Sequence, residues 1–458
     1  MSDNATMKNT TIHDMTTGSP ARLIMQFMIP MFLGNIFQQF YNIADSIIAG
    51  QFLGVRALAA IGSTGSLMFF VTGWLNGLSS GFAILVSQWF GAKEYERMRH
   101  YVAMSIYLSA GWAVLMTIGL GIANEPILRL MNYKDSIMPD VKAYMGIIYA
   151  GLIVTAAYNA LAAFLRALGD SKSPLYFLII SAVINVGLDV AFIIYGGMGV
   201  EGCAYATVIA QGISAVLCFI YIVKMFPILH LKKENFRFSL PACGKLMALG
   251  VPMALQFSIT AIGTIIVQGA VNVYGEDYMA GFSAAAKIQN VICTVFVAFG
   301  ATIATYVGQN WGAGKVDRVR QGVRCTQIMI LAYSVIAMIL VFFFSKYLTY
   351  LFISPSETKV IEVSVLYFHT VFWCYPFLGS IFLYRNTLQG LGYGLVPMLG
   401  GVFELAARSA IVVLVAGKTS FAGVCLADPA AWISALIPLI PYYIYVTRKW
   451  KKQGKIAM

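Results

Sequence analysis

Apolar stretches long enough to cross a bilayer recur along the whole chain, and this feature constrains the fold more than any other. A spanning helix needs about 20 mostly apolar residues. Twelve stretches meet this requirement: 23–50, 57–85, 101–123, 140–165, 174–195, 203–224, 245–273, 283–307, 325–345, 362–384, 395–416 and 421–446. The sequence therefore predicts an all-α membrane protein with twelve transmembrane helices.

The composition excludes the main soluble classes of protein. Only 11% of the 458 residues are charged and 59% are hydrophobic, whereas soluble domains carry about a quarter charged residues. Seven cysteines are scattered along the chain without a CxxC pair, which argues against a disulfide scaffold. Aromatic residues make up 14% of the chain, which argues against disorder. An integral membrane protein is the class that remains.

The basic residues are distributed unevenly between the two sides of the membrane. There are 31 Lys and Arg against 19 Asp and Glu, an excess that in a soluble protein would raise nucleic acid as a partner. The two termini and the loops after even-numbered spans hold 22 of these bases, and the loops after odd-numbered spans hold seven. The positive-inside rule then predicts that both termini are cytoplasmic. The charge excess is explained by topology, so we expect no nucleic-acid partner.

The two halves of the chain repeat each other. The segment SQWFGAKEYERMR recurs 221 positions later as GQNWGAGKVDRVR, and Pro30 recurs as Pro252, where both prolines are expected to bend their helices. This offset predicts a duplicated six-helix unit, with an N-terminal lobe over 1–230 and a C-terminal lobe over 231–458. Because six is even, the two copies share one orientation, as in transporters whose substrate sites lie between parallel repeats.

The N-terminal half places acids within its predicted spans. A charge at the bilayer centre costs roughly 2.5–3.5 kcal/mol, so each acid needs a reason. Asp45 lies in span 1, Asn185 and Asp189 share one face of span 5, and Thr207 lies in span 6. No base lies within these apolar cores, so the two carboxylates either hold a proton or bind a cation. Their hard oxygens favour Na⁺ or H⁺ over a soft metal. The alternative is that each acid only hydrogen-bonds a neighbouring helix.

The C-terminal half has a different set of buried charges. Glu404 and Arg408 are four residues apart on one helix face. They form either a structural salt bridge or part of a cavity wall, and Lys287 either neutralises Asp428 or faces the cavity. The polar residues assigned to a cavity or secondary site are Gln38, Asn42, Lys287, Glu404, Arg408 and Asp428.

Signatures of catalysis are missing from the sequence. It contains no HExxH or DDxxD pattern, and its four histidines are far apart. Residues 417–419 (GKT) look like the end of a phosphate-binding loop, but Val412 stands where that loop requires glycine. A polytopic membrane enzyme would need a catalytic cluster on its loops. We therefore expect no enzymatic activity, no cofactor and no ATP-driven pumping.

Several segments resemble the multidrug and toxic compound extrusion (MATE) transporters, and the resemblance covers nearly the whole chain. The segments are IPMFLGNIFQQFYNIADSIIAG, LRALGDSKSPLYF, INVGLDVAF, GVEGCAYATVIAQ, GQNWGAGK and GGVFELAARSAIV. The pairing of YNxxD in span 1 with NxxxD in span 5 is similar to the DinF-like branch. The NorM-like branch places a carboxylate in span 7, and this chain has none there.

The resemblance implies two six-helix bundles arranged as a V and a multidrug efflux antiporter that works by alternating access. Such a protein exports amphipathic, often cationic, organic compounds across the bacterial plasma (inner) membrane in exchange for Na⁺ or H⁺. Carried over by motif, the coupling-ion site consists of Asp45, Asn185, Asp189 and Thr207. The implied partners are organic small molecules and the lipid bilayer, with the protein acting as a monomer. The alternative is a flippase for a lipid-linked or oligosaccharide substrate, which would need a basic cavity.

Overall fold

The structure is a computed structural model, and it describes residues 14–131, 133, 135–415 and 421–453. Helices account for nearly all of these residues, and no strand occurs among them. In a bilayer a spanning segment must satisfy its own backbone hydrogen bonds, and a helix does so within one segment. The prediction of an all-α membrane fold is confirmed.

The described residues form sixteen α-helices, numbered here in chain order. Those of the first half are α1 (Pro20–Ile48), α2 (Val55–Ser63), α3 (Gly65–Gly91), α4 (Tyr95–Leu130), α5 (Met138–Ala150), α6 (Leu152–Ala167), α7 (Lys172–Val190) and α8 (Val200–Met225). Those of the second half are α9 (Leu240–Asn272), α10 (Glu276–Gly312), α11 (Val316–Thr349), α12 (Thr358–Val371), α13 (Tyr375–Gly390), α14 (Leu395–Val415), α15 (Phe421–Cys425) and α16 (Ala427–Gln453). Most predicted spans correspond to one long helix, and several correspond to two helices joined at a short break.

Within the described residues, eleven continuous helical segments are long and apolar enough to cross a membrane. A twelfth span results if α5 and α6, which meet at an angle of 49°, are counted as one. Gly151 separates these two helices, and a Cβ atom there would lie 2.4 Å from a methyl group of Val208. The glycine thus lets α8 approach closely at the bend. The prediction of twelve spans agrees with this count.

The chain groups into two compact units that do not divide at a single point. One unit contains Ile29–Ala254, and the other contains Met15–Met28 together with Leu255–Met458. The helices α1 and α9 therefore each begin in one unit and end in the other. In both helices the change falls two residues or fewer from a proline, Pro30 or Pro252. Both prolines lie inside continuous helices, where each removes one backbone hydrogen bond.

Polar side chains of the second unit hold the segment that precedes α1. Gln309, Asn310, Lys315 and Arg318 bond to Met15–Gly18 through contacts of 2.8 to 3.2 Å. These side chains belong to the repeated segment GQNWGAGKVDRVR that the sequence singles out. The first residues of α1 are thereby anchored to the second unit, although the same helix later carries Asp45.

Two turns of π-helix follow the helices that carry the predicted acids. Ala49–Leu53 continues α1 directly after the turn that contains Asp45, and Ala191–Tyr195 continues α7 two residues after Asp189. Such π turns widen the helix by one residue and are frequent at functional sites. Both carboxylates therefore lie where a regular helix gives way to a wider one.

Candidate functional site

Three helices of the first unit bring two acids and a thiol together. Asp45 lies near the end of α1, Asp189 near the end of α7, and Cys203 in the first turn of α8. A carboxylate oxygen of each acid and the Sγ of Cys203 all lie within 4.8 Å of one another. Asp45 is 8% exposed, and Asp189 and Cys203 are fully buried. The two carboxylates therefore share one buried site.

The predicted amide and hydroxyl form a hydrogen-bonded group beside this pair. Asn185 lies one turn before Asp189 on α7, and its Nδ2 donates to the Oγ1 of Thr207 at 3.4 Å. The hydroxyl of Tyr41 donates to the same oxygen at 3.2 Å. Tyr41 in turn precedes Asp45 by one turn of α1. All four residues predicted for the ion site are thus collected in one buried region.

Several acceptor oxygens of this site have no hydrogen-bond partner among the described side chains. They are Oδ1 of Asp45, both carboxylate oxygens of Asp189, and Oδ1 of Asn185. No described lysine or arginine pairs with either acid, whose electrostatic neighbours are each other, Tyr41, Tyr144 and Cys203. Buried acceptors are normally satisfied, and two adjacent carboxylates in a low dielectric need a positive charge. The donor set therefore fits a small cation or a proton.

Sequence reasoning missed three residues of this site. Tyr41 and Cys203 each lie four residues before a predicted ligand, so the spacing of one helical turn that linked Asn185 to Asp189 points to both of them as well. Tyr144 on α5 is buried and interacts electrostatically with both carboxylates and with Tyr41. No spacing rule connects α5 to the other helices, so this residue is visible only in the fold.

Two further predicted residues belong to α1. Gln38 lies two turns before Asp45, and its side chain is exposed. The backbone of Asn42 is helical, but its side chain lies outside the described part of the structure. Gln38 donates or accepts no side-chain hydrogen bond among those seen in the described residues, so its role in a cavity stays a prediction.

The second unit contains a buried network of alternating charges. Arg385 on α13 pairs with Glu404 on α14, and Arg408 lies 3.8 Å from the other oxygen of Glu404. Arg408 also contacts Asp428 on α16 at 3.2 Å, and the hydroxyl of Tyr367 donates to Asp428 at 2.8 Å. Every acid in this network has a basic partner, so it carries no formal excess charge. That balance favours the structural interpretation of the Glu404–Arg408 pair.

Two expectations about bases in the second half need correction. Lys287 does not neutralise Asp428: it is exposed and its Nζ lies 5.5 Å from the ring centre of Phe352, while Arg408 occupies the place beside Asp428. Arg385 is a buried base that the sequence analysis assigned to a loop. The predicted span ended at residue 384, one position before Arg385, because the apolar run stops there. The helix itself continues to Gly390.

The family of this chain follows from its comparison with known proteins. A family model described as MatE matches residues 30–191 and 252–414, which is one match in each half of the chain. The chain belongs to the MatE family. This confirms the resemblance to MATE transporters, while the DinF-like branch stays a prediction. The two matches are offset by about the repeat distance found in the sequence, and each covers helices of one half.

Curated relatives of this MatE protein include bacterial proteins named as probable multidrug resistance proteins. A probable multidrug resistance protein of Bacillus subtilis, YpnP, is 29% identical over 83% of this chain and 84% of its own length. A second one from the same organism, YoeA, is 28% identical over 94% of both chains. Membership of this family makes the chain a multi-pass membrane transport protein rather than an enzyme.

Solved MATE structures share the fold. One, described as the outward-facing conformation of a multidrug resistance MATE family transporter of the MOP superfamily, superposes with a TM-score of 0.89 at 20% identity. The match covers 96% of this chain and 99% of that one. At this identity the likeness concerns the fold alone. The MATE-type arrangement of helices predicted from the sequence is confirmed.

Proposed function

We propose that this MatE protein is a secondary active antiporter that exports amphipathic, cationic organic compounds in exchange for Na⁺ or H⁺. The coupling cation would bind at Asp45, Asn185, Asp189 and Thr207. The observation that carries the proposal is the pair of buried carboxylates without a basic partner among the described side chains. The names of the curated relatives support multidrug compounds as the substrate class.

The connection of α1 to both units supports a coupling mechanism. Asp45 lies in the part of α1 that belongs to the first unit, whereas the start of this helix belongs to the second. A cation between Asp45 and Asp189 would tie the end of α1 to α7, and its release would leave two negative charges in close proximity. We therefore propose that ion occupancy biases α1 between two arrangements and so drives alternating access. Substrate and ion would weaken each other's binding.

A transport measurement in proteoliposomes tests this proposal. The purified protein is reconstituted, and efflux of a fluorescent organic cation is followed under a sodium gradient, a pH gradient, or neither. We expect one gradient to drive transport in the wild type, and both Asp45→Asn and Asp189→Asn to lose the driven component. Asp317→Asn is the control, because that side chain is 89% exposed. Full gradient-driven transport in both site variants would contradict the assignment.

The flippase alternative depends on basic groups that are free to bind an anion. Among the described residues, Arg385 and Arg408 are the buried bases of the second unit, and both pair with acids. Lys287 is exposed and lies over an aromatic ring. These pairings favour the export of organic cations over that of anionic lipid carriers. We keep cytoplasmic termini in a bacterial plasma membrane and a monomeric state as parts of the proposal.

A further inference from the structure

We propose that the site of Asp45, Asp189 and Cys203 binds a thiophilic divalent cation of the zinc and cadmium class. The four candidate ligands selected from the sequence offer only oxygen, which disfavours soft metals. The fold adds a sulfur ligand to that set, since Cys203 lies in the first turn of α8, one turn before Thr207. This inference concerns the same residues as the proposed function, but it does not require them to be the coupling site.

The geometry supplies three ligands from three separate helices. One oxygen of each carboxylate and the Sγ of Cys203 lie within 4.8 Å of one another. In a tetrahedral zinc site, Zn–S and Zn–O bonds of about 2.3 and 2.0 Å place the ligand atoms roughly 3.5 Å apart. Side-chain rotations that move the ligand atoms by about an ångström would therefore bring all three within bonding distance of one ion. Because the ligands come from α1, α7 and α8, binding would cross-link these helices.

Unsatisfied acceptors already point into this site. Asp189 is fully buried, and neither of its oxygens has a hydrogen-bond partner among the described side chains. Oδ1 of Asn185, also fully buried, is likewise without one, and this residue lies one turn before Asp189 on α7. A bound metal makes the neighbouring thiol a thiolate, and the thiol proton is released to the solvent. The thiolate and one carboxylate then balance the divalent cation, while the second carboxylate ligates with its proton retained. Sulfur then favours zinc and cadmium over magnesium and calcium.

The test is equilibrium binding of Cd²⁺ to the full-length protein in lipid nanodiscs, without substrate or gradient. A Cd–thiolate bond absorbs in the ultraviolet by charge transfer, which oxygen ligands alone do not produce. We expect one Cd²⁺ per chain with this absorption, and competition by Zn²⁺. Cys203→Ser should abolish the absorption, and Asp189→Asn should keep the thiol but weaken binding at least about tenfold, the scale seen when even supporting groups of a metal site are changed.

Cys218→Ala provides the matched control. Cys218 lies on the same helix as Cys203 and is equally buried, but it is not grouped with Asp45 and Asp189. Its replacement should leave Cd²⁺ binding unchanged, and thermal unfolding verifies that each variant is folded. The proposal is overturned if the wild type shows no Cd–thiolate absorption, or if folded Cys203→Ser keeps it. If the wild type binds Cd²⁺ as expected but shows no ion-driven transport, that result would count against the proposed function alone.

Discussion

The two halves of the molecule place polar groups at equivalent repeat positions and balance their charge in different ways. In the first unit, Asp45 and Asp189 lie together without a basic partner among the described residues. In the second unit, Glu404 and Asp428 are matched by Arg385 and Arg408. A carboxylate pair without a base needs an ion or a proton, whereas a matched set of acids and bases balances its own charge. Under the proposed function, one fold thus supports an ion-binding group in one copy and a structural group in the other.

Substitutions at equivalent repeat positions contribute to this difference. The repeat offset places Arg408 at the position of Asn185, and Asp428 at that of Thr207. Tyr41 corresponds to Gly263, and a Cβ atom at Gly263 would lie 2.9 Å from a guanidinium nitrogen of Arg408. The glycine therefore makes the room that the arginine fills. In the first unit, the tyrosine at this position instead donates to the hydroxyl at the Thr207 position.

The largest expected effect comes from breaking the charge balance of the second unit. Arg408→Met leaves Asp428 without a base, and removing one partner of a buried pair typically costs about 3–5 kcal/mol of stability. We expect a marked fall in the thermal unfolding midpoint of the protein in detergent. The double variant Arg408→Met with Asp428→Asn should recover most of that loss. Equal destabilisation of the single and double variants would show that the pairing does not matter.

Placing an arginine in the first unit, at the position equivalent to Arg408, should neutralise the carboxylates there and prevent cation binding. The double variant Tyr41→Gly with Asn185→Arg reproduces the second unit's combination of glycine and arginine. A fixed positive charge about 4 Å from a carboxylate competes with a cation by roughly 4 kcal/mol at an effective dielectric constant of 20. We expect cation binding to be lost while the protein stays folded, as judged by titration calorimetry and thermal unfolding. Unchanged cation affinity in the folded variant would show that this glycine–arginine combination does not explain the difference between the two units.

Linkage between ion and substrate should disappear when one acid of the first unit is neutralised. In the wild type we expect saturating coupling ion to weaken substrate binding by about 5–150-fold, the usual range for coupled sites. Asp189→Asn should make substrate affinity independent of the ion. Fluorescence titrations with an organic cation, at low and high ion concentration, measure this factor. If the ion still changes substrate affinity in Asp189→Asn, the coupling ion does not bind at this site.

The smallest effect is expected from removing the hydroxyl of Tyr41, the residue that corresponds to Gly263 in the second unit. Tyr41→Phe removes a single hydrogen bond to Thr207, which is worth about 1 kcal/mol. Cation affinity should fall by roughly fivefold, since a factor of ten corresponds to about 1.4 kcal/mol. Tyr107→Phe is the control, because that hydroxyl makes an exposed contact with the carbonyl oxygen of Phe236. Equal effects of both substitutions would remove any special role for Tyr41.

The sequence predicted the fold well because bilayer-length apolar runs and a repeat of about 222 residues are strong constraints. It also selected Asp45, Asn185, Asp189 and Thr207, because charge in a bilayer is costly and two of these residues share a helix face. It missed Tyr144, since contacts between distant helices leave no periodic signal. Arg385 was missed because hydropathy ends a span where the apolar run ends, and the helix itself continues.

Two further features of the fold could not be predicted from the sequence. The pairing of Asp428 with Arg408 rather than Lys287 depends on which faces of α10, α14 and α16 meet, and one sequence does not determine that. The division of α1 and α9 between units depends on packing on either side of a proline. Both are consequences of tertiary contacts, and both bear directly on how the two halves differ.

The most direct test of the comparison is the number of cations released when substrate binds. Substrate is added to the protein in nanodiscs, and released protons or sodium ions are counted for the wild type, Asp189→Asn and Asp428→Asn, each verified as folded. If the first unit alone binds the coupling ion, the wild type and Asp428→Asn release it and Asp189→Asn does not. Release that persists in Asp189→Asn, or that is lost only in Asp428→Asn, would contradict this assignment.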